Sequence, residues 1–210
     1  MNILKHLRRR AVTWAAAGLA ATAVASALSL TAASAAPVTS ARAAGLGRSF
    51  TFALVPSPGI KSCLPHAGGL VTIVPGSQND TMHVSIFGMP RNAGFDLFVI
   101  QQPGKPFGVS WYQTDVNADS RGFGQATVRG VFDVETFSVS PGGTTTFAPT
   151  HQYHLGLWFN DPSLPFNLGC EPGATSPIVT PFNGEQHAGI QVLNTAEFPV
   201  NAGPLSHVHR

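Results

Sequence analysis

The chain has 210 residues, of which 43% are hydrophobic and 10% are charged. Four of its 12 Lys and Arg residues lie in the first ten positions, which leaves 8 basic side chains against 10 acidic ones in the remainder. This balance excludes a strongly basic nucleic-acid-binding protein, because no surplus of cations is left to neutralise phosphates. The high apolar content excludes a disordered chain.

Residues 1–35 have the three-part pattern of a secretory signal peptide. A basic segment ends with three Arg residues at 8–10, an Ala-rich apolar stretch follows, and Ala-Ser-Ala at 33–35 offers a site to signal peptidase. A membrane anchor is the alternative interpretation of the apolar stretch. We expect cleavage of the signal, a flexible segment at residues 36–47, and a single secreted, extracellular domain at residues 48–210 without a membrane span.

Cys63 and Cys170 are the two cysteines of the chain. An even number of cysteines in an exported protein predicts a disulfide bond. Closing a loop of this length stabilises the fold by about 4–5 kcal/mol in the chain-entropy treatment. We therefore interpret the pair as structural.

Short apolar or alternating segments, separated by Gly, Pro, Asn and Asp, predict eight or nine strands. They lie at residues 50–54, 70–74, 82–86, 95–101, 109–116, 125–132, 137–140, 155–159 and 189–195. Residues 95–101 are apolar on both faces apart from Asp96, which predicts a central strand that is covered on each side. Residues 161–169 can form a short helical turn.

This pattern predicts an all-β fold, an antiparallel β-sandwich of Ig-like character with one disulfide bond. Two connections, residues 141–153 and 160–188, are longer than a hairpin needs, and loops of that length often carry function. We expect a ligand-binding surface there, lined by His154, Trp158, Glu185 and His187.

Four aromatic residues form a group of candidate binding residues: Trp111, Tyr112, Tyr153 and Trp158. Aromatic faces stack on sugar rings, but they also fill the cores of sandwiches. Both interpretations stay open at the level of sequence.

The histidines offer an alternative function as ligands of copper or zinc. His151 and His154 are three residues apart, and His207 and His209 are two apart, so the second pair would share one face of a strand. His187 or His66 would have to complete such a site. Because the pairs have no established ligand spacing, we predict no metal cofactor and keep the metalloprotein as an alternative.

Residues 115–126 have some of the acidic positions of a calcium loop. Such a loop requires Gly at its sixth position and Glu at its twelfth, where this chain has Ser120 and Ala126. Asn and Asp before a Gly are also typical of a turn between strands. We predict a turn.

A hydrolase is the second alternative function. Asp133 and Glu135 would share a strand face, and Glu185 lies in the second long loop. Paired carboxylates catalyse hydrolysis only when the fold holds them at a suitable separation. The discriminating observation would be two acids that converge in the fold, with one of them desolvated.

Several strings of the sequence occur together in a known group of proteins. They are GMP (88–90), FDLFV (95–99), FG (107–108), SWYQ (110–113), HLGLWF (154–159), TPFNGE (180–185) and AGIQVLNT (188–195). On these strings the chain resembles a group of secreted actinobacterial proteins with an Ig-like β-sandwich pattern and no established activity, over residues 62–198. The resemblance implies export and fold, and it carries over no site residue.

These observations together predict a monomeric, secreted binding or structural module without catalytic activity. Its partner would be an extracellular glycan or protein, and nucleic acid is not expected to bind.

Overall fold

The computed structural model describes residues 47–132, 138–139, 145–146, 151–181 and 187–208. The predicted signal peptide and almost all of the predicted flexible segment lie outside these ranges. The strands are β1 Phe50–Pro56, β2 Gly68–Val74, β3 Asp80–Phe87, β4 Gly94–Ile100, β5 Ser110–Asn117, β6 Gly124–Gly130, β7 Ser138–Val139, β8 Thr145–Thr146, β9 His154–Phe159, β10 Thr180–Pro181, β11 His187–Ala188 and β12 Gln191–Asn194. The helices are α1 Ile60–Cys63, α2 Ser163–Asn167 and a 3-10 helix at Pro204–His207.

Eight of the strands form one antiparallel sheet in the order β5-β4-β9-β12-β1-β2-β3-β6. The sheet is continuous because β1 has two partners. Its first five residues pair with β2, whereas Val55 and Pro56 pair with β12. The strands at the two ends, β5 and β6, lie in contact and are joined by a bridge between Ala118 and Gly124.

The predicted all-β antiparallel fold is confirmed. The sheet curls until its end strands approach each other, so that it is nearly barrel-shaped, whereas we expected two distinct layers. The physical reason is the pairing of β1 with both β2 and β12, which joins the two halves of the sheet at this strand.

The half of the sheet formed by β2 and β3 has one buried face, as the alternation predicts. Val71 and Ile73 of β2 and Val84 of β3 point into the core, while Thr72 and His83 lie on the outer face. Apolar burial of this kind is the main stabilising contribution to a domain of this size.

The other half, formed by β4, β9 and β12, is buried on both faces. Leu97, Leu157 and Val192 belong to the main core, while Phe98 and Trp158 form a second apolar cluster. The prediction of a covered central strand at residues 95–101 is thereby confirmed.

The disulfide bond between Cys63 and Cys170 is confirmed, with a Cα–Cα distance of 5.1 Å. It connects the end of α1 with the segment that follows α2. The predicted helical turn is α2, which begins where the backbone N–H of Ser163 donates to Asp161 Oδ1 at 2.8 Å. The long connection at residues 160–188 therefore contains a helix, the disulfide and the paired strands β10 and β11.

Among the described residues, no helix is both long enough and apolar enough to cross a membrane.

Candidate functional site

A row of four side chains crosses the outer face of the doubly covered half of the sheet. Asp115 of β5 pairs with Asp96 of β4, Asp96 pairs with Trp158 of β9, and Trp158 pairs with Gln191 of β12. Residues paired directly across antiparallel strands project on the same side of a sheet. The row thus combines two carboxyl groups, an indole and an amide, and we call it the acid–indole row.

The two carboxyl groups of the row contact each other. Asp96 is only 3% exposed, and a side-chain hydrogen bond joins it to Asp115, whose residue is exposed. Burial, followed by the charge of Asp115 and this hydrogen bond, raises the pKa of Asp96 to about 6. Asp96 consequently keeps its proton in mildly acidic solution.

Tyr112 of β5 borders the carboxyl pair. Its hydroxyl donates to Asp115 Oδ1 at 2.7 Å, and its ring meets the Phe98 ring edge-on at a centroid distance of 5.6 Å. Burial and the contact with Asp115 raise the pKa of Tyr112 to about 12. The phenol therefore stays neutral and remains a hydrogen-bond donor in neutral solution.

Trp158 occupies the middle of the row and is fully buried. The rings of Phe98 and Phe107 pack edge-on against it, at centroid distances of 5.4 Å and 4.9 Å. Gly156 precedes it on the same face of β9, and a Cβ there would collide with the Trp158 ring. A side chain at position 156 would therefore displace the indole.

Gln191 closes the row at β12 and is held by a buried hydrogen-bond network. Its Oε1 accepts from Ser57 Oγ at 2.9 Å and from Asn194 Nδ2 at 3.0 Å. Asn194 Nδ2 also donates to Ser57 Oγ at 3.1 Å. These bonds fix the amide orientation, since they require the oxygen of Gln191 to point toward Ser57.

The structure encloses two of the four residues that we expected to line a ligand-binding surface. His154 and Trp158 are completely enclosed, which differs from the accessible position expected of them. Both project from a strand that is covered on each face, so neither reaches solvent. His187 is exposed at the start of β11, and Glu185 lies outside the described residues.

His154 has a structural environment. Its Nε2 donates to the Val200 carbonyl at 3.0 Å, and its Nδ1 lies 2.9 Å from Thr195 Oγ1. Burial lowers the pKa of His154, although the backbone hydrogen bonds act in the opposite direction. The imidazole is therefore a neutral link between β9 and the C-terminal segment.

The four aromatic residues considered above divide evenly between surface and interior. Trp111 is 50% exposed and Tyr112 is 46% exposed, whereas Tyr153 and Trp158 are buried. The exposed pair belongs to β5, which is the end strand of the sheet on this side. The accessible aromatic surface thus lies on an edge strand, outside both long connections.

The remaining histidines form no metal centre in the part of the chain that the structure describes, where no three metal-ligating side chains come together. His151 contacts Tyr153, with 2.9 Å between Nδ1 and the phenol oxygen, and His207 packs against the Phe50 ring. His66 is exposed, and His209 lies outside the described residues.

The segment at residues 115–126 contains a turn, as predicted, which connects β5 and β6 through residues 118–123. Asp119 Oδ1 accepts the backbone N–H groups of Arg121 and Phe123, and Oδ2 binds the Arg121 guanidinium at 2.8 Å. Gly122 adopts a φ of +80°, which favours glycine. The bond from Phe123, then those from Arg121, lower the pKa of Asp119 to about 2.

The carboxylates that we expected to meet in a hydrolase, Asp133, Glu135 and Glu185, lie outside the described residues. The converging pair is instead Asp96 with Asp115. One signal for it was present in the sequence, because Asp96 is an acid within an otherwise apolar central strand. Its partner required the register between β4 and β5, which the sequence does not provide.

No family model matches the chain, and no curated protein is similar to it in sequence.

Proposed function

We propose that the protein is a secreted binding module without catalytic activity, and that its ligand contacts β5. The observation that carries the proposal is the half-exposure of two adjacent aromatic residues on the end strand β5. Trp111 and Tyr112 project from opposite faces of that strand, so β5 presents an accessible ring on each face. Aromatic residues with one accessible face supply a large contact area, and Tyr adds a polar atom.

The chemistry around Tyr112 supports a ligand that offers hydrogen-bond donors. The Asp115 carboxylate is exposed and lies next to the Tyr112 hydroxyl. Carboxylates accept hydrogen bonds from hydroxyl and ammonium groups, which glycans and peptides carry. An extracellular glycan or protein remains the proposed class of partner.

Secretion is part of the same proposal. The signal-peptide pattern at residues 1–35 supports it, and so does the disulfide bond between Cys63 and Cys170, because such bonds persist in oxidising compartments. We also propose that the protein is a monomer and that its fold is related to Ig-like sandwiches. The antiparallel pairing throughout and the shared buried face of the two halves of the sheet support this kinship.

Binding of the purified protein to a glycan array and a peptide array tests the proposal. Trp111→Ala should abolish binding to whatever ligand the wild-type protein retains. Leu70→Ala is the matched control, because Leu70 is also 50% exposed but lies on β2, in the other half of the sheet. Equal binding by the two variants would exclude β5 as the contact site.

Hydrolysis is a second candidate function, and the Asp96–Asp115 pair favours it. A buried acid whose pKa is raised next to a second carboxyl group is typical of an acid–base pair. The hydrogen bond between Asp96 and Asp115 puts their carboxyl groups in direct contact, whereas the two catalytic carboxyl groups of a glycosidase are about 5 Å or more apart. Amide or ester substrates therefore fit better than glycosides. Turnover of such substrates that Asp115→Asn abolishes, and Glu197→Gln leaves intact, would support this candidate.

A further inference from the structure

The paired carboxyl groups of Asp96 and Asp115 have the chemistry of a cation-binding site. The two residues lie on neighbouring strands, project on the same face of the sheet and are joined by a hydrogen bond. The Tyr112 hydroxyl binds Asp115. We propose that this pair binds an ammonium group of the ligand, whose carbon frame packs against Tyr112. This inference rests on the proposed binding function and specifies the chemical class of its ligand.

A second observation is that, among the described residues, one oxygen of the pair lacks a hydrogen-bond donor. Asp96 is almost fully buried, and its Oδ1 has no hydrogen-bond partner among the described residues. A buried acceptor without a donor is costly, so native structures rarely keep one without a reason. Because Asp96 bonds to Asp115, the unsatisfied oxygen belongs to the same carboxyl pair, and a donor bound there would complete it.

An ammonium group fits this arrangement better than a metal ion does. Ionised carboxylates accept hydrogen bonds only, and an ammonium group has three donors and one positive charge. A metal ion needs further ligands, and no third His, Cys, Asp or Glu joins the pair among the described residues. The Tyr112 ring is half-exposed and its hydroxyl binds Asp115, so it offers an aromatic surface, which attracts cations, close to the pair.

The proton on Asp96 leads to a specific prediction about the pH dependence of such binding. A cation competes with the proton that Asp96 holds, so binding should strengthen as the pH rises through the pKa of Asp96. The titratable groups that face Asp96 in the described structure are Asp115 and Tyr112, both from β5, whereas β9 presents Trp158. Tyr112 stays neutral over this range, so the titration of Asp96 dominates the response.

Calorimetric titration of the secreted protein with two amine probes tests the proposal. The probes are a hexamer of glucosamine and a hexamer of lysine, and each has its N-acetylated counterpart as the neutral control. At least one amine probe should bind, with its acetylated counterpart about tenfold weaker or more, as expected for loss of a charge-assisted hydrogen bond. The probe that binds identifies the source of the ammonium group, an amino sugar or a peptide.

Two variants assign the binding to the pair. Asp115→Asn changes an exposed side chain and should weaken amine binding about tenfold, while Glu197→Gln removes an exposed carboxylate elsewhere and should leave it unchanged. In a pH series with the lysine hexamer, whose own charge is constant between about pH 5 and 8, affinity should rise toward neutral pH in the wild type.

The outcomes separate this inference from the proposed function. Equal binding of amine and acetylated probes, or equal binding by Asp115→Asn and Glu197→Gln, would overturn the cation site while leaving the aromatic surface of β5 intact. Absence of binding to both amine probes at millimolar concentration would also overturn it. Loss of array binding in Trp111→Ala would meanwhile still support a binding module.

Discussion

The Trp158 ring lies over Gly156, two residues earlier on the same face of β9. A Cβ at position 156 would contact the ring atoms of Trp158 and would lie 2.7 Å from Gln191 Nε2. The absence of a side chain at one position thus makes room for the largest side chain of the acid–indole row. Phe98, which pairs with Gly156, packs against the same indole.

Gly156→Ala should destabilise the protein by about 1–3 kcal/mol, because the added methyl group overfills a tightly packed site. Gly104→Ala is the control, since a Cβ at position 104 meets no atom within 4 Å. Urea denaturation followed by tryptophan fluorescence provides the measurement. Similar midpoints for the two variants would mean that the indole moves aside at little cost.

Asp96 should make the protein more stable in acid than at neutral pH. In the unfolded chain its pKa has the ordinary value of 3.8, and in the folded protein burial raises the pKa to about 6. Between these values the folded state keeps a proton that the unfolded state has lost. The free energy of unfolding therefore falls as the pH rises through this window, by about 3 kcal/mol in total.

Asp96→Asn should remove this slope, because the amide cannot ionise. Glu197→Gln is the control, since Glu197 is exposed and should leave the slope in place. Urea denaturation at several pH values between 4 and 7 measures both. A wild-type profile that is flat over this range, or rises with pH after correction for His154, would contradict the assignment.

The elements of the fold were accessible from the sequence, whereas the site was not. Apolar patterns depend on neighbours along the chain, so alternation located β1 and β3, and a run that is apolar on both faces located β4. The burial of a strand face depends on which distant segments pack against it, so the sequence did not distinguish buried Trp158 from exposed Trp111.

The Asp96–Asp115 pair illustrates a second limit of the sequence. The register between β4 and β5 shifts between Leu97 and Phe98, where β5 has one additional residue. A shift of one residue moves side chains to the other face of a sheet. Without the position of that irregularity, no pattern indicates whether Asp115, the one acid of β5, projects on the same face as Asp96.

His154 should act on stability in the direction opposite to Asp96. Its pKa is lowered in the folded protein, so below about pH 6.5 the unfolded chain takes up a proton that the buried imidazole does not accept. The free energy of unfolding should consequently fall as the medium becomes more acidic. In the Asp96→Asn variant this acid destabilisation should be visible, because the opposing contribution from the titration of Asp96 is removed.

His154→Gln in that background should reduce the acid destabilisation, since the amide has no titration in this range. His83→Gln is the control, because His83 is exposed and its Nδ1 lies 3.1 Å from the Thr127 hydroxyl on the outer face of the sheet. Thermal unfolding monitored by circular dichroism between pH 5 and 7.5 provides the comparison. An unchanged pH profile in the His154 variant would assign the effect to another group.

The disulfide bond should account for a large part of the stability of the domain. Cys63 and Cys170 are 107 residues apart, so their bond restricts most of the unfolded chain. Replacing both with Ser should lower the free energy of unfolding by about 4–5 kcal/mol. A reductant should have a comparable effect on the wild type and none on the double variant, as measured by urea denaturation.

The decrease in the free energy of unfolding when the disulfide bond is removed also distinguishes global from local unfolding. The bond connects α1 with the segment after α2, and both lie outside the eight-stranded sheet. If the segment around Cys170 unfolds only together with the sheet, the full loss should appear in a single cooperative transition. A loss below about 1 kcal/mol, with a separate early transition in hydrogen exchange at residues 163–181, would instead mean that this segment opens while the sheet stays folded.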